Sequence, residues 1–212
     1  MAVIQGGASG ALADVDTTFL AQRISQRPVQ NLGWYSVGAT SGALTGVAAA
    51  APVFSLRNIT SPNLLMVRRV SVGFSTTTAF TAAQALEYDL FFARTFTASD
   101  SAGTAIAITG NLNKLRTSLA TPTSLDCRIS AAAAITAGTR TLDTVALGIA
   151  AGSSTGVGTT MPLTTLMAHE AGAHPIILAQ NEGLVITNGI AMGAIGVIRL
   201  YVNIEFAEVA AY

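Results

Sequence analysis

The chain has a single cysteine, Cys127, among 212 residues. An intramolecular disulfide is therefore excluded, and so is a Cys-based metal site. Stability must come from burial and from partners. Charge is also scarce, at 10% of residues, about half the usual share for a soluble domain. Lys and Arg total 11 and so do Asp and Glu, giving a formal net charge of zero. Phosphate backbones are bound mainly through an excess of Lys and Arg, so no nucleic acid partner is expected. Only two histidines and one tryptophan are present.

Long apolar runs are missing too. The nearest approach to a membrane span is Gly183 to Ile198, which is too short, holds Thr187 and Asn188, and runs directly into Arg199. A strand, a turn and a second strand explain it better, and no membrane partner is expected. The start, Met-Ala-Val-Ile-Gln-Gly-Gly, lacks a basic region and an apolar core, so no secretory signal is expected.

Hydrophobic residues, in contrast, make up 50%. Too few charges are available to coat an ordinary monomer, so much of the surface is expected to face other protein. Zero net charge also removes repulsion between copies.

Period-two alternation dominates the pattern. In Ile198 to Phe206, Ile198, Leu200, Val202, Ile204 and Phe206 share one side, and Arg199, Tyr201, Asn203 and Glu205 share the other. This is a half-buried β-strand. Further strands are read at Leu32–Val37, Pro52–Arg57, Leu64–Phe74, Leu86–Arg94, Ala105–Ile108, Leu125–Ile129, Leu142–Ile149, Pro175–Ala179 and Leu184–Thr187. Strict alternation through Leu64–Phe74 places Arg68 and Arg69 on opposite faces. Glu87 and Asp89 share a face and could pair with either arginine across a sheet. Ser36–Gly46 and Gly152–Thr160 read as Gly/Ser/Thr loops, and Phe80–Leu86 and Leu163–Glu170 as short helices. Short strands with Gly-rich turns predict an all-β fold, an antiparallel β-sandwich of jelly-roll type. Residues 1–28 read as an extended N-terminal arm and residues 29–212 as one β-sandwich domain.

No catalytic constellation survives. His169 and His174 are spaced i, i+5, about 140° apart on a helix, whereas a zinc-protease helix needs i, i+4. Gly152–Thr160 lacks the Lys of a phosphate-binding loop, and Asp14-Val-Asp16 lacks the further ligands of a calcium loop. Glu87 and Asp89 have no nucleophile or base nearby in sequence, and Cys127 sits mid-strand among apolar residues. No catalytic residue, cofactor or metal is assigned.

Several stretches together resemble a known group. They are Ile4-Gln-Gly-Gly-Ala-Ser-Gly with Ala13-Asp-Val-Asp16, Trp34-Tyr-Ser-Val-Gly-Ala-Thr-Ser-Gly42, Phe92-Ala-Arg-Thr-Phe-Thr-Ala-Ser-Asp100, Gly110-Asn-Leu-Asn-Lys-Leu-Arg116, Thr136-Ala-Gly-Thr-Arg-Thr-Leu-Asp143, Ile177-Leu-Ala-Gln-Asn-Glu-Gly183 and Glu208-Val-Ala-Ala-Tyr212. The chain resembles a group of tailed-bacteriophage virion proteins of about this length. The resemblance implies a structural role in the particle, with assembly in the host bacterial cytoplasm, and offers no active-site residues to carry over.

The resulting expectation is a capsid decoration or cement protein, a homotrimer that binds the major capsid protein or another virion protein. A tail, neck or fibre-base component is the alternative, and a carbohydrate-binding host-attachment module a further one. Candidate interface residues are Ile4, Gln5, Arg23 and Arg27 on the arm, with Trp34 and Tyr35 at the start of the body. Tryptophan and tyrosine are enriched in interface hot spots, and core packing of both is the competing reading.

Overall fold

The computed structural model describes residues 31–108, 114, 125–170 and 174–209, together with the backbone of four two-residue strands nearer the N-terminus. Among the described residues the chain is strand and loop, without helix. The N-terminal strands are β1 (Gln5–Gly6), β2 (Ala11–Leu12), β3 (Val15–Asp16) and β4 (Ala21–Gln22). The body begins with β5 (Asn31–Thr40), β6 (Ala51–Asn58), β7 (Leu64–Thr78) and β8 (Gln84–Arg94). It continues with β9 (Thr104–Ala105), β10 (Leu125–Ile129), β11 (Thr141–Leu142) and β12 (Gly148–Ser154). The last strands are β13 (Thr160–Ala168), β14 (Ile176–Leu178), β15 (Gly183–Asn188) and β16 (Val197–Val209).

Two antiparallel sheets form a β-sandwich. One runs β13–β7–β16–β5, with β14 also on β7. The other runs β11–β8–β15–β6–β10–β9, with β12 also on β8. The pairs β1–β2 and β3–β4 stand apart from both. The extended-arm expectation for residues 1–28 otherwise falls outside the described residues.

The strand with the clearest alternation, β16, lies between β7 and β5. Ile198, Leu200, Val202, Ile204 and Phe206 are all at most 2% exposed and face the opposite sheet. Leu86, Tyr88 and Leu90 of β8, Phe54 and Leu56 of β6, and Leu184 and Ile186 of β15 meet them in one continuous core. Each such side chain contributes about 1.5–3 kcal/mol by leaving water.

The sandwich closes along one side through small residues. β12 turns Gly148, Ala150, Gly152 and Ser154 inward, which lets it approach β13 of the other sheet. A side chain at Gly148 would lie 1.9 Å from the Leu166 carbonyl oxygen. The hydroxyls of Ser154 and Thr76 join the two sheets at 2.7 Å.

Several expectations are corrected. Phe80–Leu86 and Leu163–Glu170 are not helices. Phe80 lies in the turn before β8, and Leu163 lies in β13. Of Gly152–Thr160, Gly152 to Ser154 end β12, Thr160 begins β13, and only 155–159 form the loop that crosses between the sheets, while β5 extends to Thr40. Residues 142–149 are divided between the end of β11, a bend and the start of β12.

Arg68 and Arg69 do not straddle the sheet. The register with β16 steps from Arg69 opposite Glu205 to Val67 opposite Phe206, which leaves Arg68 as an extra bulged residue. The bulge lets Val67 and Val70 both face the core while both arginines are exposed. Glu87 and Asp89 belong to the other sheet, so they pair with neither arginine.

Candidate interface surfaces

Of the six candidate interface residues, Ile4, Arg23 and Arg27 lie outside the described residues, as does the Gln5 side chain. Trp34 and Tyr35 are neighbours on β5 and so point to opposite faces. Tyr35 is wholly buried, its ring 5.4 Å from that of Phe206. Burial, then the nearby Glu208 carboxylate, push its phenol pKa upward. Trp34 lies on the outer face, beside a small cluster of Met66, Ala207 and Val209 that Leu64 and Ile177 also pack against. The Arg68 guanidinium sits over its ring at 5.6 Å. Of the two, only Trp34 is placed where a partner could touch it.

The bulge builds a shallow cleft of about 320 Å³ lined by Arg68, Arg69, Ala168, His169 and Glu205. Arg69 is ion-paired with Glu205. The His169 amide donates to the Arg68 carbonyl at 2.7 Å, tying the end of β13 to the bulge. The cleft offers charged and planar groups on an open surface, suited to contact with another macromolecule. The sequence carried a signal for it. The inward set runs Leu65, Val67 and then Val70, Val72, Phe74, and this slip in phase at two charges marks a bulge.

Over the other sheet a loop layer forms a second cluster. Phe96 is buried, with two guanidinium groups near its ring, Arg57 at 5.3 Å and Arg140 at 4.8 Å. Arg140 forms an ion pair with Asp100, with side chains only 4% and 1% exposed. Asp100 also accepts from the Gly138 amide at 2.7 Å. Arg57 donates to the Phe96 carbonyl at 2.9 Å and lies 3.4 Å from Asp126. This cluster fastens the excursion after β8 to the body. Sequence reasoning missed it because its members, from Arg57 to Arg140, lie far apart in the chain.

Chemistry is sparse elsewhere. Cys127 is 2% exposed, and burial, with Asp126 adjacent, pushes its thiol pKa upward, away from the reactive thiolate. Glu87 and Asp89 share the outer face of β8 beside Gly189, where a side chain would come within 2.8 Å of both carboxylates. Burial, then Glu87, raise the pKa of Asp89. Among the described residues no three His, Cys, Asp or Glu side chains gather in a metal-holding group. No family model, curated protein or solved structure matches this chain.

Proposed function

We propose that this chain is a structural virion protein of a tailed bacteriophage, a capsid decoration or cement protein that binds and stabilises the shell. The observation that carries the reading is the strand order. Numbering β5, β6, β7, β8, β12, β13, β15 and β16 from one to eight, the sheets run 6-3-8-1 and 5-4-7-2. That order supports an eight-stranded jelly roll of two Greek keys, an architecture of viral capsid domains, lectins and cupins.

Two further observations favour the capsid-type use of such a fold. The space between the sheets is filled by Phe, Leu, Ile and Val side chains, so the described interior is a packed core. The aromatic side chains a sugar site would present are also largely engaged. Tyr35 and Tyr88 are buried, Tyr201 is hydrogen-bonded to Ser75 at 2.7 Å, and Trp34 lies under Arg68.

On this reading the protein acts by contact. Many identical weak contacts, repeated over a shell, sum to firm attachment. The outer-face surface around Trp34, Arg68 and Arg69 is the candidate docking face on the body, with Ile4, Gln5, Arg23 and Arg27 on the arm. The test is copy number in purified particles, measured by quantitative mass spectrometry. Hundreds of copies per particle are expected for decoration. A few dozen or fewer would move the protein to the tail, neck or fibre base. Absence from the particle would overturn the reading.

A further inference from the structure

Four connections meet at one end of the sandwich. They are the loops at residues 41–50, 79–83, 155–159 and 189–196. Antiparallel pairing brings them together, because each joins strand ends on the same side. Hydrogen bonds fix the arrangement. The Met192 amide donates to the Val47 carbonyl at 2.8 Å and the Gly46 amide to the Gly193 carbonyl at 3.3 Å. The Asn188 side-chain amide donates to the carbonyls of Val47, Ala48 and Ile190. Gln84 binds the Ala191 carbonyl and the Gly193 amide. The Gly158 amide donates to the Thr76 carbonyl of β7 at 2.9 Å, holding the 155–159 loop to the same end.

The four loops contain none of the chain's 11 Lys and Arg or 11 Asp and Glu residues; the acids Glu87 and Asp89 lie beside Gly189 on the outer face of β8. The tip is built of Ala, Gly, Thr, Ser, Val, Ile and Leu, with Phe80 and Met192. Its apolar side chains reach solvent: Val157 is 69% exposed, Ile195 68% and Ile190 38%. Ala43, Ala48, Ala49, Ala50, Ala82 and Ala83 are exposed beside them.

The absence of charge identifies the occupant. Where copies gather about a rotation axis, each residue near the axis meets the same residue of its neighbours. A charge there faces its own sign, which costs affinity. A surface selected against a different partner can keep charges complementary to that partner. A surface that meets itself is best left neutral, small and apolar, and this one is. Its loops are already hydrogen-bonded in place, so little ordering is left to oppose association.

We infer that the tip is the contact between copies of this chain, its four loops gathered around a rotation axis. The inference rests on the self-association expected of the proposed virion protein, and not on its place in a particle.

The test is light scattering after size exclusion on the full-length protein and three variants. The wild type is expected to elute as an oligomer. Ile195→Asp and, independently, Val157→Asp are expected to elute at the mass of one chain, with a folded circular-dichroism spectrum. Leu163→Asp, which alters an apolar side chain 55% exposed on β13, is expected to leave the oligomer intact. Mixing Ile195→Asp with Ile195→Lys is expected to restore oligomers that neither forms alone. A monomeric wild type would overturn the inference, as would an unchanged mass in both tip variants. Particle copy number is measured separately, so a failure here leaves the virion reading standing or falling by its own experiment.

Discussion

The two ends of the sandwich are built on opposite principles. At the tip, backbone and amide hydrogen bonds join the loops at 41–50 and 189–196 and hold the other two to the strand ends, and the four loops carry no charge. At the far end, the connections from β8 to β12 and from β14 to β15 are fastened by ion pairs. Arg140 meets Asp100, Arg57 meets Asp126, and Arg94 meets both Asp143 and Glu182. The difference shows how a chain with few charges spends them. A buried ion pair fixes one geometry and makes departure from it costly. That suits a long excursion that must lie flat on a sheet. A neutral, pinned crown costs little to desolvate, which suits a surface to be covered.

The largest effect is expected at Arg140. Replacing Arg140 by Ala leaves the Asp100 carboxylate buried without its cation and removes a cation from the Phe96 ring. Loss of one partner of a buried pair costs about 3–5 kcal/mol. The expected result is a large drop in the denaturation midpoint. Hydrogen exchange is expected to accelerate in residues 95–104 and 130–143, while amides at the tip, such as Met192, keep their protection until global unfolding. If tip and far end lost protection together below the global transition, the two ends would be one cooperative unit and the contrast would fail.

Arg94→Ala sharpens the same contrast from the exposed side. Arg94 reaches Glu182 at 2.9 Å and Asp143 at 3.3 Å, but its side chain is 46% exposed. Solvent and salt screen such contacts, so the expected cost is about 0–1 kcal/mol. It should shrink as ionic strength rises. Urea denaturation at low and high salt measures both. A cost as large as that at Arg140 would show that exposure does not grade these pairs.

How far the molecule is legible in its sequence depends on phase. β16 and β10 keep strict alternation, and the pattern places both, β10 to its end residues Leu125 and Ile129. Two antiparallel sheets follow from many such short strands. β7 and β13 carry bulges, at Arg68 and between Met161 and Thr164. Each bulge resets the alternation, so the sequence pattern alone puts the arginines on opposite faces and Leu163 in a helix. The charge-free tip was invisible for a different reason. Low charge is plain in the composition, but the four loops lie far apart in the chain, and only the strand order assembles them. Trp34 and Tyr35 show the same limit. Adjacent aromatics look alike in sequence, and the register alone decides that one packs in the core and the other lies outside.

The smallest expected effect lies at the edge of the tip. Glu87 and Asp89 are acids on the outer face of β8, at the side of the loop after β15, where the Gly189 amide donates to the Glu87 carbonyl at 2.7 Å. Neither has a cationic partner among the described residues, unlike the acids of the far end. Burial, then Glu87, raise the Asp89 pKa, so the folded protein holds a proton there more tightly than the unfolded chain does. Ionised Asp89 therefore opposes folding at neutral pH. The opposition is absent below the unfolded carboxylate value of about 3.9 and grows as pH rises through the raised native value. Asp89→Asn removes it and is expected to raise the melting temperature slightly near neutral pH. Its advantage over wild type should fade as pH falls towards the unfolded value. Thermal melts of both proteins across that window measure the difference. An advantage constant with pH would assign the gain to something other than charge. A loss at neutral pH would mean that this acid has a favourable role, and that charge is managed alike at both ends.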